Sequence, residues 1–149
     1  MLYNDKKIGK KAWLLNGTVF NGLHLDDKTE YTIKAAKSAK ESNDFCEHII
    51  LEDKDGKLIE VQEYNVIITP SNGIEQYLFD NDCSVAGVSN SSANKVAVTI
   101  EWGDWKHDHF WCADLMGYIG YEETKSKVTE EDGSDCYSAI HYFRKIGTK

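Results

Sequence analysis

His107, Asp108 and His109 stand together in the stretch WGDWKHDHFW, residues 102–111, with Asp104 just ahead of them. A His-x-His pair chelates an ion only when both rings lie on one side. An extended strand achieves that, because alternate side chains share a face. In a helix of 3.6 residues per turn, neighbours two apart point about 200° away from each other. If 104–109 is extended, Asp104, His107, His109 and His141 form a mixed nitrogen and oxygen set suited to zinc or manganese. Such an ion would lower the pKa of its bound water toward neutrality. The corresponding activity is a metal-dependent hydrolase, with a phosphoester as the fitting substrate class. Lys106 would face the substrate charge, and Asp132 or Asp135 would act as general base.

The helical alternative gives each of these residues a structural task. Asp104 becomes the N-cap, Asp108 lies near the positive helix end, and Gly103 closes the preceding strand. Trp111, Leu115, Tyr118 and Ile119 then make an apolar face with Cys112 beside it. On that wheel His107 falls near Trp111, Asp114 and Tyr118, and His109 with Ala113 and Met116. His141 shares a strand face with Tyr137, Ala139 and Phe143, the position of a core histidine. This reading is favoured because the ligand spacing matches no specific motif. No cofactor is therefore expected, with a divalent metal as the alternative.

Glu130, Glu131, Asp132 and Asp135 place four carboxylates within six positions. They could hold magnesium or calcium, but Asp132-Gly133 also supplies ordinary turn chemistry. If the hairpin turn and the helix start lie at the same end of a sheet, the two segments meet. Asp53-x-Asp55-Gly56 and Asp80-x-Asp82-x-Ser84 resemble the start of calcium loops and lack the later ligands. The pairs Cys136 with His141 and Cys112 with His107 are the candidates for a thiol nucleophile, and buried apolar roles suit both cysteines better. There is no nucleophile elbow, phosphate loop or dinucleotide fingerprint.

The elements that must position these residues follow from periodicity. Ala12–Leu15 and Thr18–Phe20 flank Asn16-Gly17, a hairpin signal, although Asn21-Gly22 competes as the turn. Residues 28–42 are rich in Ala and Lys, with Tyr31, Ala35 and Ala39 in one stripe, and predict a helix. HIILEDKDGKLIEV, residues 48–61, reads as two strands around an Asp-Gly turn. The second strand continues through Tyr64, Val66 and Ile68, with a bulge after Val61 and a stop at Pro70. A short helix is expected from Ser71 to Phe79 and loop from Asp80 to Asn94. Lys95–Trp102 alternates as a strand, Lys106–Ile119 forms the second main helix, and Tyr121–Val128 and Cys136–Lys145 are strands joined by a turn. The fold class is α+β: mainly antiparallel sheets built from hairpins, two main helices at about 28–42 and 106–119, and a β-α-β-β second half.

Size and composition bound the function. A chain of 149 residues with 41% apolar side chains predicts one domain, residues 1–149, able to bury a core without staples. Its basic N-terminus, about residues 1–10, is expected to be flexible. The net charge of −8 is uneven, with 8 basic against 7 acidic residues in 1–50, 3 against 8 in 51–100, and 6 against 10 in 101–149. An acidic surface repels phosphate backbones, so direct nucleic-acid binding is not expected. Arg144 is the sole arginine, so a phosphate site would have to rely on Lys, His or main-chain groups. The N-terminus carries no secretory signal, no run is long enough to span a membrane, and the cysteines form no C-x-x-C, which together predict a cytoplasmic protein. The expectation is a small acidic binding protein rather than an enzyme. It would act through a protein or small-ligand interface built on Trp102, Trp105, Trp111, Asp132 and Asp135, since aromatic residues anchor interfaces. An inhibitor, or a nucleic-acid mimic of the kind a mobile element encodes, would be a special case. The oligomeric state is left open.

Overall fold

The computed structural model describes residues 3–15, 19–20, 23–24, 29–42, 44–92 and 94–146. The chain divides into two compact units, Met1–Thr69 and Pro70–Lys149. Both are built on antiparallel sheets, and among the described residues the α-helices belong to the second, so the α+β class holds. No described helix is long and apolar enough to cross a membrane.

The first unit opens with a 3-10 turn, Tyr3–Lys7, followed by β1 (Lys11–Leu14), β2 (Val19–Phe20), β3 (Leu23–His24), β4 (Tyr31–Lys37), β5 (His48–Glu52), β6 (Leu58–Gln62) and β7 (Val66–Ile68). Five of these strands form a sheet in the order β6-β5-β4-β1-β7, and β2 pairs with β3. Ala12, Leu14, Tyr31, Ile33, Ile49, Leu51, Ile59, Val61 and Ile68 form its core. The β5–β6 hairpin matches the pattern in HIILEDKDGKLIEV. Asp53 Oδ1 accepts the N–H groups of Asp55 and Lys57, and Gly56 takes the left-handed conformation the turn needs.

The helix expected over 28–42 is instead strand β4 followed by a turn at 38–42. Tyr31 and Ile33 are buried at alternate positions, and β4 is paired on both sides, with β1 and β5. Helix propensity is worth only a few tenths of a kcal/mol per residue, roughly, and two ladders plus two buried side chains outweigh it. The bulge expected after Val61 is a 3-10 turn, Glu63–Asn65. It carries the chain to the far edge of the sheet, so the continuous strand expected through Ile68 is two strands. β1 pairs with β4 and β7, not with β2 as the first hairpin required. Asn16, Gly17, Asn21 and Gly22 lie outside the described residues, but Phe20 pairs with Leu23 across residues 21–22. The N-terminal segment expected to be flexible is hydrogen-bonded from residue 5 onward. Gly9 N–H donates to Ile33 O, Ile33 N–H to Lys10 O, and Lys7 Nζ lies 2.9 Å from Glu63 Oε1.

The second unit contains α1 (Ile74–Asp80), β8 (Gly87–Ser92), β9 (Lys95–Asp104), a π-turn (Trp105–His109), α2 (Phe110–Tyr118), β10 (Tyr121–Glu131) and β11 (Cys136–Lys145). The expected β-α-β-β order is present, and the sheet runs β10-β11-β9-β8. β8 falls within the segment 80–94 expected to be loop. Val96, Val98 and Ile100 of β9 are buried, as are Ala139, His141 and Phe143 of β11 and Cys112, Leu115 and Met116 of α2. Helix α2 therefore buries a face rotated from the one expected around Trp111 and Tyr118. Trp111 is half-buried, and its indole N–H donates to Asn81 O.

Candidate functional site

The end of β9 and the start of α2 are fixed by two aspartates. Asp104 Oδ1 accepts the N–H groups of Lys106 and His107 at 2.9 and 3.0 Å. These main-chain donors, His107 first, hold its carboxyl below the usual range. Asp108 Oδ2 in turn accepts Asp104 N–H at 2.7 Å. This is a capping box stretched from three residues to four, which the wider π-turn allows. Gly103 is required between them: a Cβ there would lie 2.7 Å from Ile100 Cγ2 and 2.9 Å from Asp108 Cβ.

The π-turn sorts the two histidines of His-x-His. His107 is exposed, whereas His109 is 1% exposed and reaches His141, which is 2% exposed. His109 Nε2 lies 3.1 Å from the carbonyl oxygens of both Gly103 and Tyr137. Carbonyls only accept, so this nitrogen carries a proton. Burial is the largest influence on His109 and holds it below the ordinary imidazole value. The ring is therefore neutral, and its Nδ1 accepts from His141 Nε2 across 2.6 Å. His141 Nδ1 lies 2.5 Å from Glu123 Oε1, with one proton between imidazole and carboxylate. Every ring nitrogen of the pair is engaged. The inner end of the relay rests on main-chain carbonyls, so it ties the π-turn to β9 and β11 and presents no free base.

Above this pair lies a cleft of about 440 Å³, lined by Asp104, Trp105, Lys106, Val128, Asp135 and Tyr137. Trp105 links the two levels. Its ring stacks on His109 at 4.7 Å and meets the Tyr137 ring edge-on at 5.7 Å. Both carboxylates come to one end of the sheet because Cys136 pairs with Asp104 in the β9–β11 register. The expected meeting of His107–His109 with the turn 132–135 is not what lines this cleft: Asp135 joins Asp104, Trp105 and Lys106 there, and neither the HDH residues nor Asp132 are part of the lining.

Other expected residues stand apart from the cleft. Asp132 caps the turn, accepting the N–H and hydroxyl of Ser134. Trp102 sits on a bulge, where Ser138 opposes both Glu101 and Trp102, and takes φ of 51° at 43% exposure. Its N–H donates to the Ser138 hydroxyl at 3.0 Å. Asp104, His107, His109 and His141 do not converge: among the described residues, no three His, Cys, Asp or Glu side chains form a group that could hold a metal ion. Nothing in the local sequence marks Glu123, Val128 or Tyr137 as site residues. Pairing of the last two strands would have found Glu123, because its partner Phe143 shares a face with His141.

Compared with known proteins, the chain matches no family model, no curated protein and no solved structure.

Proposed function

We propose that this is a binding protein that takes a ligand into the cleft of residues 70–149, rather than a metal-dependent hydrolase. The observation that carries the reading is the cleft itself: Trp105 and Tyr137 beside Asp104, Asp135 and Lys106. Ligand sites combine a concave, largely aromatic wall with a few placed polar groups, and volumes of several hundred Å³ are usual. The histidine pair beneath supports binding over catalysis, since its nitrogens are spent within the protein and hold Trp105 in place. All four cysteines are free, which suits the reducing cytoplasm.

Ligand-observed NMR against a fragment mixture, with Trp105→Leu as the control, tests this. Fragments that saturate the native protein and lose contact in Trp105→Leu are the expected result. Binding indifferent to that substitution would sink the reading. Native mass spectrometry before and after EDTA addresses the hydrolase. The expected mass is that of the bare chain, and a stoichiometric increment removed by EDTA would favour the metal instead.

A further inference from the structure

The cleft is more selective than its volume alone suggests. We propose that it takes an organic cation, the ammonium or guanidinium head of a small molecule or of a partner's side chain. This rests on the binding reading above and adds the chemical class of the ligand.

The argument starts from what the walls offer. Trp105 is the best aromatic partner for a cation, and Tyr137 stands edge-on to it. One side of the indole is covered by His109, and Phe110 and Tyr137 meet the ring at steep angles, so it is held still where it lines the cleft. A preformed wall loses little rotamer freedom on binding. The carboxylates supply the charge. Asp104 is fixed by two main-chain N–H groups that hold its carboxyl below the usual carboxylate range, while Asp135 is exposed and lines the same cleft.

An anion is disfavoured at the same place. The helix start would ordinarily attract one, but Asp104 Oδ1 already occupies the N–H groups of Lys106 and His107. Among the described residues of the lining Lys106 is the single cation, set against two carboxylates. Its charge acts on Asp104 and opposes that of a ligand cation. This gives two substitutions of opposite sign. Asp135→Asn should weaken a cation by about fivefold, the effect of losing one partly screened charge pair. Lys106→Gln should tighten it by a similar factor. Both positions are exposed, so neither change threatens the fold.

The test is a heteronuclear NMR titration of the full chain, following the Trp105 indole N–H. The probes are n-butylammonium, methylguanidinium, the neutral n-pentanol and the anionic pentanoate. Saturable shifts from the cations alone, weakened in Asp135→Asn and strengthened in Lys106→Gln, are the expected result. Preference for n-pentanol or pentanoate overturns the cation and leaves a binding cleft. Silence with all four probes overturns both readings together. N-acetyl-lysine and N-acetyl-arginine methylamides then separate the sources. A gain over the bare head groups marks a side chain of a partner, and equal or weaker binding marks a free small cation.

Discussion

At the scale of single residues, the His-x-His motif divides into two unlike groups. His109 is enclosed and bonded at both nitrogens, while His107 is exposed and contributes its main-chain N–H to the Asp104 cap. Replacing His109 with Gln should leave the Gly103 and Tyr137 carbonyls or His141 without a partner, at a cost of about 2 kcal/mol. His107→Gln should stay within about 0.5 kcal/mol, as exposed substitutions do. Urea unfolding of the two variants side by side checks this, and equal losses would mean the relay is not what holds the turn. Asp104, Trp105 and the two histidines are visible in the sequence because Trp, His and Asp crowd into ten positions, whereas Val128 and Tyr137 carry no such signal. Which histidine turns inward is not visible there either. That depends on the π-turn, whose one extra residue per turn shifts every later side chain around the helix. No side-chain periodicity announces it. Glu123 was hidden for another reason, since it reaches His141 only through the β10–β11 register.

Among the elements, the β5–β6 hairpin, β9, α2, β10 and β11 are legible in the sequence, whereas β4, β7 and β8 are not. β9 alternates cleanly and the π-turn that leads into α2 is capped by Asp104, so local pattern and tertiary need agree there. β4 is the opposite case. Its Ala and Lys residues favour a helix locally, but Tyr31 and Ile33 complete a core that exists only once β1 and β5 flank it. The position of β7 is not legible locally, because a three-residue turn moves it across the sheet, a non-local event. The junction of β9 with the π-turn is where elements and site meet, and Gly103 is its tightest point. Gly103→Ala forces a Cβ into Ile100 and Asp108 and should cost about 1–3 kcal/mol, as overpacked sites do. It should also displace the Gly103 carbonyl from His109. A large upfield or downfield move of the His109 ring protons, together with a lowered urea midpoint, is the expected signature. A neutral effect would show that the Asp108 cap can shift without consequence.

For the whole molecule, the two units carry histidines of opposite sign. In the first, His48 lies between two carboxylates, with Nδ1 2.6 Å from Glu60 Oε2 and Nε2 2.8 Å from Asp44 Oδ1. Only the imidazolium donates to both. Burial opposes its charge, and the hydrogen bonds it donates to Glu60 and Asp44 outweigh burial, so His48 titrates above its ordinary value. The folded unit binds this proton more tightly than the unfolded chain. Its stabilisation is complete below about pH 6.5 and is lost as pH rises through the raised value. His109 in the second unit is held low by burial, so there the unfolded chain binds the proton better. That unit loses stability as pH falls below about 6.5. Labelling with 5-fluorotryptophan separates the two, because Trp13 lies in the first unit and Trp102, Trp105 and Trp111 in the second. Between about pH 6 and pH 8, the urea midpoint at Trp13 should fall while the other three rise. If all four resonances share one midpoint, the units unfold together and the two titrations offset each other. His48→Gln and His109→Gln must then tilt the pH profile in opposite directions, and a tilt of the same sign in both would refute the assignment of these protons.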